Sequence, residues 1–184
     1  MNDLIAAALR DFTQYYCQRW LQDYGHLPAS AELYEIPSPC VTENRDERVL
    51  WQPQPFSLEP HLAAVERALE LQLQSSVVSY YTTQFAGDMQ ATLGQRPITL
   101  LQVWSETDFE RVQENLIGHL VMKRRLKQTP TLFIATTSSD SEIISVCNLT
   151  GEVICETLGT PRREKLAADL RTFLKALQPV TEVS

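Results

Sequence analysis

The stretch SVVSYYTTQFAGDMQATL, residues 76–93, decides the fold. Its first half is rich in valine, tyrosine and threonine, side chains that fit a pleated, half-buried surface. The run breaks at Phe85-Ala86-Gly87-Asp88 and resumes at Met89. Gly-Asp is turn chemistry, because glycine reaches left-handed backbone and aspartate bonds its own chain. The stretch therefore reads as two strands joined at Gly87, and a second turn near Gly94 leads into PITLLQVW at 97–104. Three segments of the same kind follow: TLFIATT (131–137), EIISVCN (142–148) and EVICETL (152–158). Asn148 and Gly151 bound a tight turn between the last two.

Helical spacing surrounds these strands. Leu4, Ala8, Phe12, Tyr16 and Trp20 recur every four residues beside Ile5 and Leu9, with Asn2 or Asp3 as cap and Gly25 as stop. PASAELY (28–34) adds one turn, and EIPSPC (35–40) is a loop because of Pro37 and Pro39. RVLWQPQPF (48–56) is a short strand ended by Pro53 and Pro55. A second helix spans about 59–72 with Leu62, Val65 and Leu69 inward. The third runs from Ser105 to about 126 over Phe109, Val112, Leu116 and Leu120. Thr160 caps a final helix that has Pro161 first and Leu166, Leu170, Phe173 and Leu177 inward. Strand triplets flanked by helices predict an α+β fold: one domain, 1–184, with a mostly antiparallel or mixed sheet and about four helices.

Charge is uneven. Residues 1–121 hold 16 acids against 7 bases, a balance of −9, whereas 122–184 hold 7 against 9, or +2. An acidic surface disfavours nucleic acid, whose phosphates demand cations, and favours a basic partner. Cys17, Cys40, Cys147 and Cys155 form no C-x-x-C pair and read as reduced cytosolic thiols. No basic leader precedes an apolar run, and no apolar run approaches the roughly 20 residues that span a bilayer.

The chemistry-bearing candidates divide accordingly. No phosphate-loop, dinucleotide, zinc or nucleophile-elbow motif is present, so no cofactor or metal is expected. Asp88, His119 and Cys147 are the residues from which an enzyme would have to be assembled, and this reading ranks last. In SETDFERVQENLIGHL, Ser105 and Asp108 form a capping box, while Glu106, Glu110 and Glu114 stack along one helix face. That face is either a solvated exterior or a ladder for cations. Lys123, Arg124, Arg125 and Lys127 compensate the helix dipole and offer a weak contact for anionic headgroups. Trp51, Phe85 and Trp104, near the Gly87 turn, are either core or cleft anchors.

In order along the chain, ELYEIPSPC, WQPQPF, AVERA, YYTTQFAGDM, WSETDFERVQENLIGHL, PTLFIAT and ISVCNLTGEVICETLGT resemble the Syd family of Gram-negative bacteria. The resemblance spans nearly the whole chain and implies a SUKH-like α+β fold without catalysis. It implies as partner SecY, the channel subunit of the protein translocase, bound through an electronegative concavity on the cytoplasmic side of the inner membrane. The implied role is quality control or restraint of the translocase; the alternative is a SUKH-type immunity protein masking another basic partner. Cytosolic loops of membrane proteins are rich in Lys and Arg, so acidity and resemblance agree. The residues expected to meet the partner are Asp88, Glu106, Asp108, Glu110, Glu114, Phe85, Trp51 and Trp104.

Overall fold

The structure is a computed structural model that describes residues 2–182. Helix α1 (Asn2–Tyr24) buries Ile5, Ala8, Leu9, Phe12, Tyr16 and Trp20, but Leu4 lies outside the stripe and is exposed. The cap expected at Asn2 or Asp3 falls on side chains outside the described set. Gly25 ends the helix at φ +74°, its N–H on the Leu21 carbonyl at 3.0 Å. Strands β1 (Ala29–Ser30), β2 (Val41–Arg45) and β3 (Arg48–Trp51) form a small sheet in the order β1-β3-β2. Then come β4 (Gln54–Pro55), α2 (Ala63–Leu69), α3 (Ser75–Tyr81), β5 (Gln84–Phe85), β6 (Met89–Leu93) and β7 (Arg96–Leu100). The rest is α4 (Glu106–Arg125), β8 (Thr131–Thr137), β9 (Glu142–Cys147), β10 (Val153–Thr157), β11 (Arg163–Ala167), α5 (Leu170–Ala176) and β12 (Leu177–Pro179).

The main sheet is antiparallel throughout, in the order β11-β10-β9-β8-β7-β6-β12. It is an α+β fold with five helices among the described residues. Between the edge strands β11 and β12 stand two residues and the seven-residue α5, which rises only about 10 Å. A flat seven-stranded sheet is nearly three times that wide, so the sheet must curl. The Arg96–Glu164 ion pair, 3.0 Å between β7 and β11, reports the same curl, because three strands separate them.

The decisive stretch begins differently from its sequence reading. Residues 75–81 are helix, not strand, despite their β-branched and aromatic composition. A strand would send Tyr80 and Tyr81 to opposite faces. A helix puts Val77, Tyr80 and Tyr81 on one face, and all three are buried. Tyr80 then donates to the Leu101 carbonyl at 2.7 Å, and Tyr81 to the Phe133 carbonyl at 2.6 Å. Burial of two rings with satisfied hydroxyls outweighs a propensity difference of about 1 kcal/mol. Gly87 consequently joins two sheets instead of closing a hairpin: β5 pairs with β4, and β6 with β7.

Two other helices differ in extent. The second is confined to Ala63–Leu69, stopped by Glu70 at φ 51°. After Thr160 the chain forms an edge strand, not a helix. Thr160 closes the β10–β11 turn, donating to the Thr157 carbonyl at 2.9 Å and accepting the Arg162 N–H at 3.1 Å. Asp169 caps the last helix instead, accepting the Thr172 N–H at 2.7 Å. Arg163, Glu164 and Lys165 keep this edge charged and guard it against strand addition.

The β2–β3 hairpin turns through Asp46 and Glu47 at φ 53° and 59°. A two-residue turn with both residues left-handed favours glycine at the second position. Glu47→Gly is expected to raise stability by about 0.5–1 kcal/mol, the left-handed penalty less glycine's entropy. An unchanged or lower denaturation midpoint would refute this strain.

Candidate functional site: an acid-lined cleft

Beside the β5–β6 junction a cleft of about 1300 Å³ opens. One wall is the segment between β1 and β2, the other the first turns of α4, and the β5–β6 junction forms the floor. The segment is pinned to Trp104 at two points and braced by one bond of its own. Trp104 Nε1 donates to the Ile36 carbonyl at 3.0 Å, the Ser38 hydroxyl to the Trp104 carbonyl at 2.6 Å, and the Cys40 N–H to Ser38 Oγ at 3.0 Å.

Asp88 lies on the floor, open to solvent yet ringed by the cleft walls. Its Oδ1 accepts the Gln102 N–H at 2.7 Å. Gln102 extends the support inward, donating to the Tyr80 hydroxyl and accepting from Gln84. Burial is the main cause that pushes the Asp88 carboxyl up to about 6, against the Gln102 N–H; Asp108 and Glu32 add to the rise and Arg111 opposes it.

The capping box at α4 is formed. Ser105 Oγ accepts the Asp108 N–H at 3.2 Å, and Asp108 Oδ2 takes the Trp104 N–H at 2.8 Å. Asp108 Oδ1 holds Arg111 at 2.7 Å. Both oxygens of Asp108 are thus engaged within the protein, which makes it a builder of the cleft. Glu106 lines the cleft with it, whereas Glu110 and Glu114 point from exposed positions of α4 outside the lining. Glu32 also lines the cleft and was missed, since an acid in an irregular loop carries no periodic signal.

Phe85, Trp51 and Trp104 line the cleft as well, but only 2%, 2% and 3% exposed. Trp51 stacks on Tyr16 with centroids 6.2 Å apart and meets Trp104 edge-on at 6.4 Å, while Phe85 packs on Phe56 at 5.1 Å. The rings form the fabric of the walls. Gly87 is required beneath them: a Cβ there would lie 2.8 Å from Trp51 Cε2 and Nε1.

Of Asp88, His119 and Cys147, only Asp88 reaches the cleft. His119 instead joins a buried cluster under α4. Thr131 donates its hydroxyl to Glu156 at 2.7 Å and therefore accepts from His119 Nε2–H at 2.9 Å, which places a proton on Nε2. Lys123 belongs to the same cluster, paired with Glu156 and bonded to Gln128 at 3.2 Å. Arg124 donates to the Leu69 carbonyl at 2.7 Å. The basic run thus reduces to Arg125 and Lys127 as the two heads with no partner among the described residues. Among the described residues no group of three or more potential ligands can hold a metal, and no helix is long and apolar enough to cross a membrane.

A curled antiparallel sheet with helices on it, and an acid-lined cleft at the junction with a smaller sheet, place the chain in the α+β class. The chain belongs to the Syd family, whose description reads Syd protein (SUKH-2) and which matches residues 6–179. It is 62% identical to Protein Syd of Erwinia tasmaniensis, over 98% of this chain and 97% of that protein. Protein Syd of Klebsiella pneumoniae is 58% identical and that of Shigella boydii 56%, each over 98% of this chain and 99% of the relative.

Proposed function

We propose that the cleft docks basic cytosolic loops of SecY and that the protein thereby checks or restrains the translocase without catalysis. The carrying observation is the charge of the lining: Glu32, Asp88, Glu106 and Asp108 against Arg111 alone. Family membership supports SecY as the partner, and the positive-inside rule supplies the complementary charge. Attachment to the inner membrane is then indirect. The acidic face is repelled by anionic lipid, and two free cations at the far end of α4 supply only about 1 kcal/mol each.

Capture of detergent-solubilised SecY tests the reading. Raising salt from about 50 to 300 mM should reduce capture severalfold, as screening shortens the reach of exposed charges. Asp88→Lys with Glu106→Lys should abolish it. Lowering pH through about 6 should also weaken capture, because the raised carboxyl of Asp88 takes up a proton there and loses its charge. Salt-independent capture that survives both reversals would sink the cleft as the docking site.

A further inference from the structure

Two polar groups of the cleft lining lie beside Gly87. Asp88 has committed Oδ1 to Gln102, and Oδ2 has no partner among the described residues. The Trp51 side chain is 98% buried, yet its indole N–H also has no acceptor among the described residues. Its nitrogen is not sealed into the core: it borders the cleft against Gly87, 2.8 Å from where a Cβ would be. Indole N–H groups at buried positions ordinarily find a partner. Here glycine keeps the approach to this one clear.

We propose that the Trp51 N–H and the Asp88 carboxylate form a socket for a single residue of an extended basic polypeptide. The indole N–H donates to a backbone carbonyl of the guest, and Asp88 Oδ2 accepts from a lysine or arginine side chain. This deepens the docking reading and rests on it. The other charges favour such a guest. Arg111 is bonded to Asp108 and makes no direct contact with Asp88, so it offsets that carboxylate only in part. Glu32 and Glu106 extend negative potential from the floor along the cleft. A neutral guest would leave the carboxylate desolvated and unpaired, and an acidic one would be repelled. Exposed Ile36, Pro37 and Pro39 on the pinned wall offer apolar contact to the residues on either side.

The probe is the capped peptide acetyl-Ala-Arg-Ala-amide, with citrulline for arginine as its neutral isostere, titrated at millimolar concentration and followed by the tryptophan indole N–H resonances. The arginine peptide should shift the Trp51 signal saturably, and the citrulline peptide should bind about tenfold more weakly or worse. Asp88→Asn keeps an Oδ1 acceptor for Gln102, so the fold is retained while the preference for arginine disappears. Trp51→Phe should remove the shifting resonance and weaken binding severalfold. If that variant does not fold, backbone-linked assignment of the wild type identifies the resonance instead. No binding, binding that leaves the Trp51 indole unmoved, or an arginine preference that survives Asp88→Asn each overturns the socket. Wild-type SecY capture run in parallel separates the two readings. Capture without peptide binding removes the socket and leaves docking intact, whereas peptide binding without capture keeps the socket and removes SecY.

Discussion

Glu156→Ala is expected to cost about 3–5 kcal/mol of stability, the range for breaking a buried pair by removing one partner. Glu156 and Lys123 are 3% and 9% exposed, and Lys123 pairs with no other carboxylate among the described residues. The loss is a large part of the 5–15 kcal/mol that holds a domain folded. Combining Lys123→Met with Glu156→Leu should recover much of it, because apolar side chains of similar volume remove both desolvated charges together. A double-mutant cycle in urea reads this directly; additive losses would show that the pair is not the unit. Acid should act in the same direction. Burial raises the Glu156 carboxyl, but hydrogen bonds from Lys123 and Thr131 outweigh it and hold it below its ordinary value. Its stabilisation is therefore present above the unfolded value and lost as pH falls through the folded one. His119, lowered chiefly by burial, adds to that loss, since the unfolded state takes up its proton first.

This cluster marks the limit of what periodicity reveals. The inward face of α4, from Phe109 to Leu120, was legible because the apolar residues repeat at i, i+3 and i+4. Lys123 continues that face in register, yet a lysine reads as solvent-facing until its partner is known. Glu156 lies in EVICETL, 33 residues away, and nothing local announces the pair. The same holds for α3. Its two tyrosines carry strand propensity, and only the carbonyls of Leu101 and Phe133 explain why a helix delivers them better. The cleft was half legible for a related reason. Asp88, Glu106 and Asp108 sit beside recognisable turn and cap chemistry, so their neighbourhood could be inferred. Glu110 and Glu114 continued the pattern along α4, but the cleft ends at the first turns of that helix. Glu32 entered from a loop that tertiary hydrogen bonds to Trp104 place.

Trp104 separates a wall from an anchor, and its two substitutions should diverge. Trp104→Ala is expected to lose about 3–5 kcal/mol, the usual range for deleting a buried ring. The ring is 3% exposed, meets Trp51 edge-on, and holds the Ile36 carbonyl through Nε1. The backbone bonds of residue 104 to Asp108 and Ser38 survive the change, so the helix cap and part of the wall remain. Trp104→Phe keeps an aromatic ring against Trp51 and loses only the bond to Ile36, at a cost of about 1 kcal/mol. Because the indole presents almost no surface to the cleft, Trp104→Phe should capture SecY as the wild type does while melting a few degrees lower. An anchor would behave oppositely, with full stability and capture reduced tenfold or more, as truncated hot spots do. Urea denaturation and capture measured on the same preparations distinguish the two. A fully stable Trp104→Ala protein that no longer captures SecY would move this ring from the wall to the recognition surface.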